Sequence, residues 1–277
     1  MSRTFVFLLL AATAAAAPPL MKGAVLACYA RGCYSTPASA AVVREMAATG
    51  ITHVELMATY YVANTVNATA IFADAAKSQS DDDVLAAIAA LRASNITVSL
   101  KPHIDSLDGV WRANIGTGFT SEAQWDEWFE NYTSFVLHFC ALAVRGGASG
   151  GFNVGTELDG THAREAQWRA LIASARAALP PGTPLWLGPN WRWAKTPGYR
   201  LVGFWDALDF LGVDMYAPLS THNDPTLAEA EAGWAAIMAD LAAFSQEHGG
   251  KQFIVRGALQ GPGARARLPH LRLLSPL

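Results

Sequence analysis

Glu157 is the residue of this chain best placed to move a proton. It stands in Val154-Gly155-Thr156-Glu157-Leu158, where a short apolar run gives way to small and polar residues. Five apolar runs, this one included, end in the same manner: Tyr60 and Tyr61 close the first, and Lys101, His103 and Asp105 the next. Thr156, Glu157 and Asp159 come third, then Asn190 with Trp191, and finally Asp214 with Tyr216. Carboxylates, aromatic faces, an amide and hydroxyls in one place suit a sugar ring, which offers C–H faces to stack on and hydroxyl edges to hydrogen-bond. A carboxyl group in that company can protonate a glycosidic oxygen or take a proton from water.

Each of these residues also has a plainer reading. Lys101, His103 and Asp105 read either as a structural ion-pair cluster or as hydrogen-bonding groups for substrate, with a modest preference for substrate. Tyr216 reads equally as a substrate contact or as a packed ring, and Asp214 as a structural acid. His103, Asp105 and Glu157 with His53 or His162 lack the tight spacing of metal ligands, so neither a metal nor any other cofactor is expected. Trp125, Trp128 and Trp168 fall on helical patterns and are expected in the core. Trp111, Trp191 and Trp193 fall in loops and are expected to face a sugar.

The elements that must position these groups form a simple alternation. Strands are expected at 23–28, 53–57, 96–101, 151–154, 185–188, 210–214 and 252–255. Helical patterns follow at 38–49, 82–94, 121–144, 162–178 and 227–247, with the acids Asp81, Asp82 and Asp83 at a helix start, where they oppose the dipole. Repeated βα units of this kind make a parallel sheet with helices outside it, and reacting groups then lie just past the strand ends. The expected fold is an α/β eight-stranded TIM barrel that stops after its seventh strand.

Composition narrows the partners. The chain has 277 residues, 52% of them hydrophobic and 16% charged, which excludes disorder as its main state. Twenty Lys and Arg against 23 Asp and Glu give a net charge of −3, no footprint for nucleic acid or an anionic membrane. An uncharged polysaccharide or oligosaccharide fits better, and no stable membrane association is expected.

The start and end of the chain differ from its middle. Arg3, the apolar run 5–17 and the small residues before Pro18 read as a signal peptide over 1–17, cut near Ala16 or Ala17. The protein is thus expected to be secreted, with the barrel over 18–255. Cys28 and Cys33 could then pair across a short loop, with Cys140 a buried thiol, and Asn67, Asn95 and Asn131 head glycosylation triplets. Residues 256–277 hold four Arg, three Pro, three Gly and no acid, a composition expected of coding sequence read in another frame.

Several motifs in order carry a family resemblance. They are Leu100-Lys101-Pro102-His103-Ile104-Asp105, Val154-Gly155-Thr156-Glu157-Leu158 and Gly212-Val213-Asp214-Met215-Tyr216-Ala217-Pro218-Leu219. Trp128-Phe129 with Tyr132 and Phe135, Trp168-Arg169-Ala170-Leu171-Ile172, and Phe204-Trp205-Asp206 fill the segments between. The chain resembles glycoside hydrolase family 113, the β-mannanases of the clan-A barrels. The resemblance implies retaining hydrolysis of β-1,4-linked mannan, with Glu157 as general acid/base. Lys101, His103, Asp105, Trp111, Asn190, Trp191 and Tyr216 are the expected substrate contacts. It also implies a nucleophilic Glu after the seventh strand, in a Thr-Glu-apolar-Gly stretch about 5–5.5 Å from the acid/base. That place reads Phe253-Ile254-Val255-Arg256-Gly257-Ala258, without a carboxylate. The chain is therefore expected to be inactive or nearly so, or else to act as a carbohydrate-binding barrel without turnover.

Overall fold

The computed structural model describes residues 22–192 and 195–257. The expected signal peptide, Trp193 and all but the first two residues of the expected tail lie outside the described residues. Among the described residues there are seven strands and five α-helices, with an α-helix between successive strands except from β5 to β6. They run β1 (Gly23–Leu26), α1 (Pro37–Ala48), β2 (His53–Val62), α2 (Asp81–Ala93), β3 (Thr97–Ser106), α3 (Glu122–Gly146) and β4 (Gly151–Thr156). Then come α4 (Glu165–Ala178), β5 (Leu185–Gly188), β6 (Leu211–Asp214), α5 (Leu227–Glu247) and β7 (Phe253–Arg256). Strands β1 to β5 form one parallel sheet in chain order, and β6 pairs with β7 in parallel. Backbone bonds continue the wall from β5 to β6: Asp214 N donates to Pro189 O at 2.9 Å and Trp191 N to Asp214 O at 3.0 Å. Among the described residues, β1 and β7 each have a strand on one side only.

β2 and β3 run farther than apolar character alone suggests. They stay in register from His53↔Thr97 to Val62↔Ser106, so Tyr60, Tyr61, His103 and Asp105 lie within strands and not after them. Alternation explains the extension: Leu56, Ala58, Val98 and Leu100 face the helices, while their neighbours Glu55, Thr59, Ser99, Lys101 and His103 take the other side. Helix α4 begins at Glu165, later than its pattern suggests, because the segment from Asp159 to Thr161 turns as a short 3-10 helix. Helix α2 starts as its acids predict, on a Ser80–Asp83 capping box.

The outer core is aromatic. Trp128 stacks on Tyr132 with centroids 4.8 Å apart, and Trp168 stacks on Phe204 at 5.5 Å. Tyr132 Oη donates to Val154 O at 2.8 Å, tying α3 to the strand that leads to Glu157. Gly155 belongs there for steric reasons: a Cβ would come within 2.7 Å of the Trp168 ring, so a larger residue would push α4 off β4. The expected Cys28–Cys33 pair is a disulfide, and Cys140 is buried, its thiol pushed up to about 12 by burial.

Because Trp168 is fully buried between α4 and the wall, Trp168→Ala is expected to cost roughly 3–5 kcal/mol of folding free energy. Urea unfolding of the two proteins measures this, and a loss below about 1 kcal/mol would contradict the packing described.

Candidate active site

Side chains that point into the barrel form two tiers. The lower is a buried charge cluster drawn from four strands. Arg256 on β7 meets Glu55 on β2 at 2.9 Å and Asp214 on β6 at 2.7 Å. Lys101 on β3 reaches the other oxygen of Asp214 at 3.9 Å, and Trp186 Nε1 on β5 donates to Glu55 Oε1 at 2.8 Å. Gly188 makes room for the guanidinium, since a Cβ there would fall 1.2 Å from Arg256 Nη2. Burial works to lower the Arg256 pKa, but Asp214 and Glu55 outweigh it and the net direction is upward. Burial, with Arg256 adding to it, lowers the pKa of Lys101 against the pull of Asp214 and Glu55.

The upper tier is built around Glu157, which is buried at the end of β4 with its backbone in the left-handed region at φ 52°. Its N–H donates to Gly188 O at 2.8 Å. One carboxylate oxygen, Oε2, accepts from Trp111 Nε1 at 3.0 Å and also from Arg112 Nη1. Arg112 is itself fixed, with Nε donating to Ile104 O at 2.9 Å and Nη2 lying 3.5 Å from Asp105 Oδ1. Among the described residues, Oε2 thus takes both of the side-chain hydrogen bonds that hold this carboxylate.

The remaining expected site residues divide between the two tiers and the rim. His103 is fully buried, and neither ring nitrogen has a hydrogen-bond partner among the described residues. Burial first, and then Arg112, Lys101 and Arg256, hold its pKa well below the ordinary value, so the ring is neutral. Asn190 is buried too, and its amide donates to Asp159 Oδ2, which leaves it a brace between the loops after β4 and β5. Asp159 is pushed up to about 7 by burial, against the Asn190 hydrogen bonds. Trp191 is half-buried against the core, while Trp111 and Tyr216 remain 42% and 44% exposed at the mouth.

Sequence reasoning missed Arg112, Glu55 and the placing of Arg256. Glu55 had one signal, an acid inside the apolar run Val54-Glu55-Leu56-Met57. Arg112 had none beyond following Trp111. Among the described residues, no three of His, Cys, Asp and Glu gather as metal ligands, and no helix is long and apolar enough to cross a membrane.

The family profile described as Glycoside Hydrolase Family 113 matches residues 26–258. The chain belongs to glycoside hydrolase family 113. A search of curated proteins finds no match. Among solved structures, the family 113 β-mannanase from Alicyclobacillus acidocaldarius, in complex with ManMIm, is similar at 23% identity with a TM-score of 0.72, over 85% of this chain and 69% of its own. A second family 113 β-1,4-mannanase matches at 23% identity and TM-score 0.70, over 85% of this chain and 70% of its own. A complex structure of a family 113 β-1,4-mannanase matches at 24% and 0.69, over 84% and 70%. These likenesses give the family 113 chain its TIM-barrel fold, of which the described residues supply seven strands.

Arg256→Ala would leave Glu55 and Asp214 buried without their shared cation, at an expected cost of about 3–5 kcal/mol. Adding Glu55→Gln to that variant is expected to recover part of the loss. Denaturant unfolding of both variants is the check, and an unchanged midpoint in Arg256→Ala would refute the role given to the cluster.

Proposed function

We propose that this chain is a secreted barrel that binds β-1,4-linked mannan-type chains across its mouth. In this reading it keeps the acid/base half of a retaining pair and lacks the nucleophile. The observation that carries the reading is the contrast between two strand ends. β4 ends in a carboxylate, Glu157, held by Trp111 and Arg112 in the mouth. β7 ends in Arg256, whose guanidinium is already committed to Glu55 and Asp214.

Retaining hydrolysis needs both carboxylates. One protonates the leaving oxygen while the other attacks the anomeric carbon and forms the glycosyl-enzyme ester, which water then cleaves. Glu157 can supply the first proton from Oε1 and later take one from water. Arg256 has no lone pair to attack with, so the ester cannot form at that position. The exposed faces of Trp111 and Tyr216 and the buried polar set behind them still suit binding of a neutral sugar chain. This favours a second reading, a carbohydrate-binding barrel without turnover. Export is supported by the N-terminal pattern and by the Cys28–Cys33 disulfide, a bond that persists in oxidising compartments.

Two measurements test the reading. An activated aryl β-mannoside is expected to be cleaved negligibly by the protein alone and measurably when azide stands in for the missing nucleophile, most clearly in Arg256→Gly. Full activity without azide would sink the proposal of a lost nucleophile. Protein recovered from the culture medium of a secreting host is expected to begin close to Pro18 on N-terminal sequencing, and retention inside the cell with Met1 intact would count against export.

A further inference from the structure

The loop after β1 places another aromatic residue at the same mouth. Tyr29 follows the C-terminal end of β1, the end at which barrels carry their sites. It is 53% exposed; partial burial raises the pKa of its phenol, and Arg112, Asp105 and Glu157 act on it more weakly. Tyr216, past the end of β6, is 44% exposed at the same mouth, while Tyr61 is buried within β2.

What distinguishes Tyr29 is the rigidity of its base. The Cys28–Cys33 disulfide closes the loop on either side of it. Gln79 Nε2 donates to Cys28 O at 2.8 Å, and Gln79 Oε1 accepts from Thr59 N at 2.9 Å, which locks the loop to β2. Arg31 N donates to Ala76 O at 2.8 Å. Gly32 N and Ser35 Oγ both donate to the carboxylate of Asp83, at 2.9 and 2.8 Å. Tyr34 Oη donates to Leu26 O at 3.0 Å beneath the loop. An exposed ring on so constrained a backbone loses little entropy when a ligand covers it. Aromatic residues that stack on sugars gain most from such preorganisation, because the pyranose C–H face demands a fixed plane.

We infer that Tyr29, held out by the Cys28–Cys33 loop, is a substrate-binding platform that stacks on a pyranose ring of the sugar chain beside Glu157. The inference rests on the proposed binding of a β-linked hexosan at this mouth.

Titration calorimetry of the full chain with β-1,4-mannohexaose tests it. Tyr29→Ala is expected to weaken binding about tenfold, and Tyr29→Trp to retain it. Cys28→Ser/Cys33→Ser is expected to weaken binding as well, because the backbone that carries the ring loses its constraint. Thermal melts confirm that each variant is folded, which the exposure of Tyr29 favours. Tyr29→Ala binding as tightly as the parent, while Trp111→Ala loses affinity, would overturn the platform and leave the proposed function standing. No binding of mannohexaose by the parent would overturn both.

Discussion

Much of this barrel depends on one buried cation. Arg256, at the end of the last described strand, joins Glu55 and Asp214 in a largely buried interior, and Lys101 shares the second acid. Two acids and two bases at this depth are tolerable only as a set, since each desolvated charge is offset by its neighbours. The set links β2, β3, β6 and β7, strands that the outer hydrogen bonding assigns to two separate sheets. Glu55, one strand in from β1, and Arg256 on β7 therefore join opposite sides of the described wall across the interior.

The same cluster bears on the chemistry above it. Glu157 sits over this floor with Arg112 and Trp111 holding one oxygen, so its carboxylate has a defined direction without any ligand present. A carboxylate in place of Arg256 would join Glu55 and Asp214, leaving Lys101 the cation already paired there to balance three acids. Placing a second carboxylate at this position is therefore not a matter of one side chain. The floor would have to lose an acid or gain another cation.

The alternation of elements was legible from local pattern, because apolar runs, the Ser80–Asp83 cap and the Pro180-Pro181-Gly182 break act within a few residues of themselves. β5 and α5 fall where their sequences place them. Strand ends were less legible: β2 and β3 continue through polar residues because one side faces an interior that polar groups can share. Glu157, Trp111 and Asp105 do come together, but the connector, Arg112, joins them through contacts that local pattern does not encode. The contact of Arg256 with Glu55 spans 201 positions and exists only once the wall curves round. The place of Asn190 after β5 points to the site, but the bond of its amide to Asp159 is one that local pattern does not encode.

The left-handed backbone of Glu157 has a consequence of its own. Holding a residue with a Cβ at φ 52° costs roughly 1–2 kcal/mol that glycine would not incur. At this one position, then, the main chain and the side chain have opposed interests: a change to glycine would relax the backbone and remove the carboxylate that Trp111 and Arg112 hold. Backbone stability alone would favour glycine here, so the carboxylate is a feature of the mouth that folding does not account for.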